Sequence, residues 1–313
     1  MIHIRDIVFK RGEKSILNGV SFDVELGQIL GIIGESGIGK TTLLKLISGH
    51  LDVQEGRLEY KGNRIPGPAD KLIPGHPDIE LVNQDFALDL YASTEENIRA
   101  KILHLTNEHR DEMIDELVEL LRLDKVRSQK AITLSGGEQQ RLAIARALAR
   151  EPEVLVMDEP FVHLDQGLRL EIMHYLKRLN ELRGTTIILV SHDGGELMGF
   201  AQRMVYIDSS GKISADARPN ELYYNPINAE QGRLLGVLNE VEINGKEIFF
   251  RPNEYQLNHG SHQLNIRFHH SVKGAMMDLY YFTDEVGSNI VLSSSTDISS
   301  INSIWINKCH AAS

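Results

Sequence analysis

The stretch "QILGIIGESGIGKTTLLKLISG", Gln28 to Gly49, constrains this chain more than any other. A β-branched apolar run leads into G-x-x-x-x-G-K-[ST], and a helix-forming apolar run follows. Strand, phosphate loop and helix are therefore predicted in that order. Gly34, Glu35, Ser36, Gly37, Ile38, Gly39, Lys40, Thr41 and Thr42 form the candidate nucleotide-binding set. The glycines let backbone N–H groups curl around phosphate, Lys40 neutralises β and γ phosphates, and Thr41 offers a hydroxyl to Mg²⁺. The positive end of the following helix adds to the attraction.

Similar apolar runs precede other polar motifs. "EVLVMDEP" and "TTIILVSHD" read as buried parallel strands, as does the run before the phosphate loop. Helical patterns lie between them, including Met113, Leu117, Leu120 and Leu121, and "GLRLEIMHYLKRLNEL". The alternation predicts an α/β fold. From about Asn225 the pattern changes to the linker "NPINAEQG" and short alternating segments, where Leu264, Ile266 and Phe268 share one face. A small all-β domain is predicted there.

"VLVMDEP" sets Asp158 and Glu159 at the end of a buried strand, where unpaired carboxylates are costly unless a cation or substrate uses them. Asp158 suits Mg²⁺, directly or through water. Glu159 is placed to act as general base toward the water attacking the γ-phosphate. By itself, the pair also fits a charged helix N-terminus. Gln84 in "LVNQDF" and His192 in "ILVSHD" each follow a strand too. Glutamine can ligate Mg²⁺ or hold water without repelling phosphate, and histidine can bond the γ-phosphate and align the water.

"LSGGEQQR", Leu134 to Arg141, is a second glycine-rich helix start. Ser135 and Glu138 match the S-x-x-E of a reciprocal helix cap. A cap requires neither Gly136 nor Gly137, whereas both clear the way for an anion at the helix N-terminus. One nucleotide does not need two such loops.

The phosphate loop, Gln84, "LSGGEQQR", "VLVMDEP", "HLD" and "SHD" occur in the order that resembles ATP-binding subunits of ABC transporters. The likeness covers residues 1 to about 232, predicting an ATP-binding domain over 1–232 with a helical subdomain over about 85–150 and a β-barrel-like accessory domain over 233–313. It implies a P-loop ATPase using ATP and Mg²⁺. Lys40, Glu159 and His192 are then catalytic, and Thr41, Gln84 and Asp158 hold the metal. The signature residues Ser135, Gly136, Gly137 and Glu138 close on the ATP of a second copy, Gln84 meets a membrane subunit, and Asp165 sits at the dimer interface. Arg11 stands where the family has an aromatic residue stacking on adenine, with Phe9 as the other candidate. Val162 in "FVHLD" stands where serine is common.

"RPNELYYNPINAEQGRLLGVLNEV" resembles the segment leading to a C-terminal accessory β-barrel in importer ATPases for spermidine, ferric iron, sulfate and sugars. "IFFRPNEYQLN" resembles the Arg-Pro-Glu segment of that domain, with Asn253 inserted. The implied assembly is a homodimer beneath two membrane-spanning permease subunits, fed indirectly by a solute-binding protein. The alternatives are an exporter ATPase and a non-transport ABC ATPase. His259, His262, His269 and His270 lack the carboxylates and spacing of a metal site and are read as solvated. Trp305 and Cys309 are read as a small core contact.

Charge and cysteine content bound the partners. With 33 Lys and Arg against 44 Asp and Glu, the net charge of −11 repels a nucleic-acid backbone. One cysteine excludes an intrachain disulfide, and the charged, alternating N-terminus is unlike a signal peptide. No apolar run approaches the roughly 18 residues of a membrane span. The expected location is the cytoplasm, peripheral on the inner face of the membrane.

Overall fold

The computed structural model describes residues 1–83, 85–162 and 164–307. Gln84, His163 and Cys309 lie outside them. The described chain divides into two compact units, one formed by Met1–His192 and Gly199–Asp216, the other by Asp193–Met198 and the chain from Ala217 onward.

The first unit holds two sheets. β1 (Ile2–Arg11), β2 (Lys14–Val24), β4 (Glu55–Tyr60) and β5 (Asn63–Arg64) form an antiparallel sheet in the order β2-β1-β4-β5. β3 (Ile29–Ile33), β6 (Ile79–Val82), β7 (Val154–Asp158), β8 (Thr186–Ser191), β9 (Arg203–Ile207) and β10 (Ile213–Ala217) form the other, in the order β10-β9-β3-β8-β7-β6. The five strands from β9 to β6 run parallel. Every residue of β3, β7 and β8 is buried, which explains their continuous apolar runs. Residues of β1, β2, β3, β7 and β8 join those of α1 (Lys40–Ile47) in one hydrophobic core.

α2 (Thr94–Arg99) and α3 (Asn107–Leu120) pack on α4 (Gly136–Ala149) in the helical part of this unit. The buried face at α3 runs through Ile114, Leu117, Val118 and Leu121, the i, i+3, i+4, i+7 pattern of a core-facing helix. Met113 and Leu120, included in the sequence pattern, flank that face and are only half-buried. α5 (Gln166–Arg183) ends at Gly184, whose φ of 70° supplies the left-handed stop.

The second unit contains α6 (Pro219–Tyr224) and α7 (Ala229–Leu234), followed by β11 (Asn239–Ile243), β12 (Lys246–Phe250), β13 (His262–Val272), β14 (Asp278–Asp284), β15 (Asn289–Ser294) and β16 (Ser303–Ile306). β11 pairs with β12, and the other four form an antiparallel sheet ordered β15-β14-β13-β16. Leu264 and Ile266 enter its core, with Phe268 packed at the margin. The wholly buried Arg251 ties α6 to the turn after α7. Its guanidinium donates to the carbonyls of Tyr223 (2.7 Å), Gly236 (3.1 Å) and Val237 (3.0 Å) and lies 4.0 Å from the Tyr223 ring centre. Residues 217–232 thus join the β-rich unit through a side chain far away in sequence.

Candidate nucleotide site

β3, β8 and β7 are neighbours, and the register sets Ile33 beside Ser191 and Asp158 beside Val190. Their carboxyl ends therefore bring the phosphate loop, His192 and Asp158–Glu159 to one edge. Such an edge is where open parallel sheets place ligands.

The phosphate loop is shaped by close approaches that only glycine permits. A Cβ at Gly34 would lie 2.6 Å from the Ile207 carbonyl oxygen, and one at Gly39, where φ is +108°, would lie 2.7 Å from Ile16 Cγ2. Lys40 opens α1, is 4% exposed, and donates through Nζ to the carbonyls of Gly34 (2.7 Å) and Glu35 (2.8 Å). Burial lowers its pKa, against the opposing pull of Glu159 and Asp158. Ile38 packs on the core, leaving backbone and polar groups to face the cavity.

That cavity is open and measures about 490 Å³. Ser36, Gly37, Gly39, Lys40, Thr41 and Thr42 line it, together with Arg11, Lys45 and Glu159. Phe9, the alternative to Arg11, packs instead against the hydrophobic core.

Asp158 is 3% exposed, and among the described residues neither carboxylate oxygen has a hydrogen-bond partner of good geometry. Burial pushes its carboxyl up, the Glu159 charge adds to this, and Thr41 and Lys40 oppose it. Two hard oxygens held near a threonine hydroxyl suit a divalent cation such as Mg²⁺. Glu159 adopts φ +49°, a conformation disfavoured for a side-chain-bearing residue, and its N–H donates to Val190 on β8 at 3.0 Å. Its Oε1 lies 3.0 Å from His192 Nδ1.

The signature residues stand apart from the cavity just described, and none of them lines it. Both sides of the cap are formed: Ser135 Oγ accepts from Glu138 N–H at 3.4 Å, and Glu138 Oε2 accepts from Ser135 N–H at 2.8 Å. The Ser135 hydroxyl, which donates to Glu138 Oε2 at 2.7 Å, and then the Ser135 N–H hold the Glu138 carboxyl below the usual range. A Cβ at exposed Gly136 would meet nothing within 4 Å, so packing within the chain does not demand glycine there. Asp165 caps α5 by accepting from Leu168 N–H at 3.0 Å, and this bond first, then nearby Arg122, lowers its pKa.

Gln140 was not singled out by its motif, yet it contacts the backbone of Glu159 and Pro160. A signal was present: it shares the buried face of α4 with Ala143, Ile144 and Ala147. A polar side chain in that phase calls for partners. Among the described residues of the second unit, no cluster of metal-ligating groups occurs; His269 Nε2 meets Thr283 Oγ1 at 2.9 Å and His270 stacks on Tyr281 at 4.5 Å.

Residues 17–162 match the family profile described as ABC transporter. The chain is 34% identical to a spermidine/putrescine import ATP-binding protein of Haemophilus ducreyi, over 76% of this chain and 64% of that protein. It is 35% identical to a glucose import ATP-binding protein of Saccharolobus solfataricus, over 75% of this chain and 67% of that one. A sulfate/thiosulfate import ATP-binding protein of Pseudomonas syringae is 32% identical over 87% of this chain and 83% of its own length. Among solved structures, the ATP-binding cassette MJ0796, a post-hydrolysis dimer bound to ADP and Pi, superposes with a TM-score of 0.63 at 29% identity. It covers 70% of this chain and 99% of its own. Motif order, sheet topology and these relatives together make the chain a member of the ATP-binding subunits of ABC transporters, ATPases of the importer type.

Proposed function

We propose that this chain powers solute import as a homodimer docked beneath two membrane-spanning permease subunits, with a solute-binding protein delivering cargo outside. It works at the inner face of the membrane without crossing it, and no described helix is long and apolar enough to cross. Each ATP lies between the phosphate loop of one copy and the signature helix of the other.

The observation carrying this reading is the split between two phosphate-binding features. The Lys40 cavity joins Glu159 but none of Ser135–Glu138, while Gly136 lies exposed with free space around it. An outward helix N-terminus carrying unused room suits an anion held by another copy.

Arg11, on the wall of the cavity, stacks its guanidinium on the base. Lys40 exchanges its two carbonyl partners for phosphate oxygens. Thr41 and Asp158 would hold Mg²⁺, and the bound ion would supply neutralisation of the charge developing on the phosphates. Gln84 would complete this set but lies outside the described residues. Glu159 accepts the proton of the attacking water, and His192 fixes the carboxylate and the water in line. Asp165, at the start of α5, contributes to the copy-to-copy interface.

Glu159→Gln tests the assignment. The variant should bind ATP, accumulate as a dimer by light scattering and hydrolyse at a small fraction of the wild-type rate. Wild-type turnover in this variant would remove Glu159 from the role of base.

A further inference from the structure

We propose that Gln140 is a positioning residue for the Glu159 carboxylate, and that the Gln139–Gln140 pair couples this carboxylate to the signature motif. The inference rests on the composite-site reading above.

Gln140 is 5% exposed, and its Nε2 donates to the carbonyls of Glu159 (3.2 Å) and Pro160 (2.9 Å). Both amide hydrogens are thereby used. The bonds orient the amide, since an oxygen at that position would face two carbonyl acceptors. Oε1 has no hydrogen-bond partner among the described residues, and the side chain lines a second cavity with Asp158 and Asn83.

The Glu159 peptide is therefore gripped from both sides. Its N–H is held by Val190 of β8, the strand that ends just before His192, and its carbonyl is held by α4. A φ of +49° is disfavoured for glutamate and persists only where neighbours fix it. The two bonds flank the Cα and set where the side chain leaves the backbone. That direction brings Oε1 to His192 Nδ1.

The preceding side chain points its amide to the other end of the motif. Gln139 Nε2 donates to Ala131 (3.0 Å) and Leu134 (3.3 Å), the backbone leading into Ser135. Adjacent residues in the opening turns of one helix thus hold the signature entry and the catalytic backbone. A shift of the signature loop on meeting the partner's ATP is transmitted through α4 to Glu159, giving the base its productive position when the dimer closes.

Gln140→Met, similar in size but without donors, tests this, with Gln140→Glu as a second variant that keeps length and polarity yet offers the carbonyls no N–H. Turnover should fall roughly 10- to 100-fold with KM for ATP and nucleotide affinity unchanged, while the two lost hydrogen bonds lower the melting temperature modestly in a chain that stays folded. In single-turnover assays on a Glu159→Gln background, either change should produce no further loss, because both act on one step. Full turnover in folded Gln140→Met beside an inactive Glu159→Gln overturns the positioning role alone. Effects that multiply, or a parallel fall of turnover and nucleotide affinity, also overturn it. Wild-type turnover in Glu159→Gln overturns the reading of the site itself.

Discussion

His192 Nδ1 and Glu159 Oε1 lie 3.0 Å apart across the ends of two neighbouring strands, β8 and β7. Glu159 is largely covered while His192 is half-exposed, so the histidine is the movable member of the pair. His192→Ala removes the brace and leaves the carboxylate free to rotate. Turnover should fall roughly 100-fold with ATP affinity unchanged. Single-turnover hydrolysis beside nucleotide titration separates the two quantities.

Asp158 makes the nucleotide-free cassette pH-sensitive. Its folded pKa is raised by burial, so the folded state binds this proton more tightly than the unfolded chain. The associated stability is complete below the ordinary carboxylate pKa and is lost as pH rises through the elevated folded value. The loss is about 1.4 kcal/mol for each unit by which the folded pKa exceeds the unfolded one. Asp158→Asn should flatten the dependence of melting temperature on pH over that window and abolish Mg²⁺-dependent turnover. Calorimetry across the pH range and an ATPase assay provide the readouts.

Gly136→Asp separates binding from closure. A Cβ at Gly136 meets no described atom within 4 Å, and a carboxylate at a helix N-terminus is electrostatically favourable. The monomer should keep its melting temperature and ATP affinity. It should fail to form the ATP-dependent dimer because the new charge stands where phosphate belongs, with turnover lost. Loss of nucleotide binding by the monomer would refute the division of labour between the two loops.

Arg251→Leu tests the device that organises the second unit. The substitution leaves three part-buried carbonyls without their donor and removes the cation from the Tyr223 ring. The second unit should lose about 3 kcal/mol or more of stability in chemical denaturation. Nucleotide affinity at the Lys40 cavity should be unchanged.

The phosphate loop, the buried strands and the helix cap at Ser135 were legible because each is written over a few consecutive residues. The cap reading of "LSGGEQQR" described a real feature, since Ser135 and Glu138 bond reciprocally, while Gly136 satisfies no internal packing need and so supports the proposed anion role. Arg11 and Phe9 could not be separated by sequence, since both stand close to the family position. In the structure one lines the cavity and the other packs on the core. Arg251 belongs to a segment recognised by likeness, yet nothing local indicated that its guanidinium would bind carbonyls on either side of α7.

Sequence by itself determined which chemical groups exist at strand ends, because hydrophobic runs and glycine spacing act locally on the backbone. Only tertiary structure decided which of them meet. Strand order sets β8 beside β7, bringing His192 to Glu159, and the packing of α4 carries Gln140 to the same backbone. Those contacts depend on long-range pairing and burial, for which a one-dimensional pattern has no period.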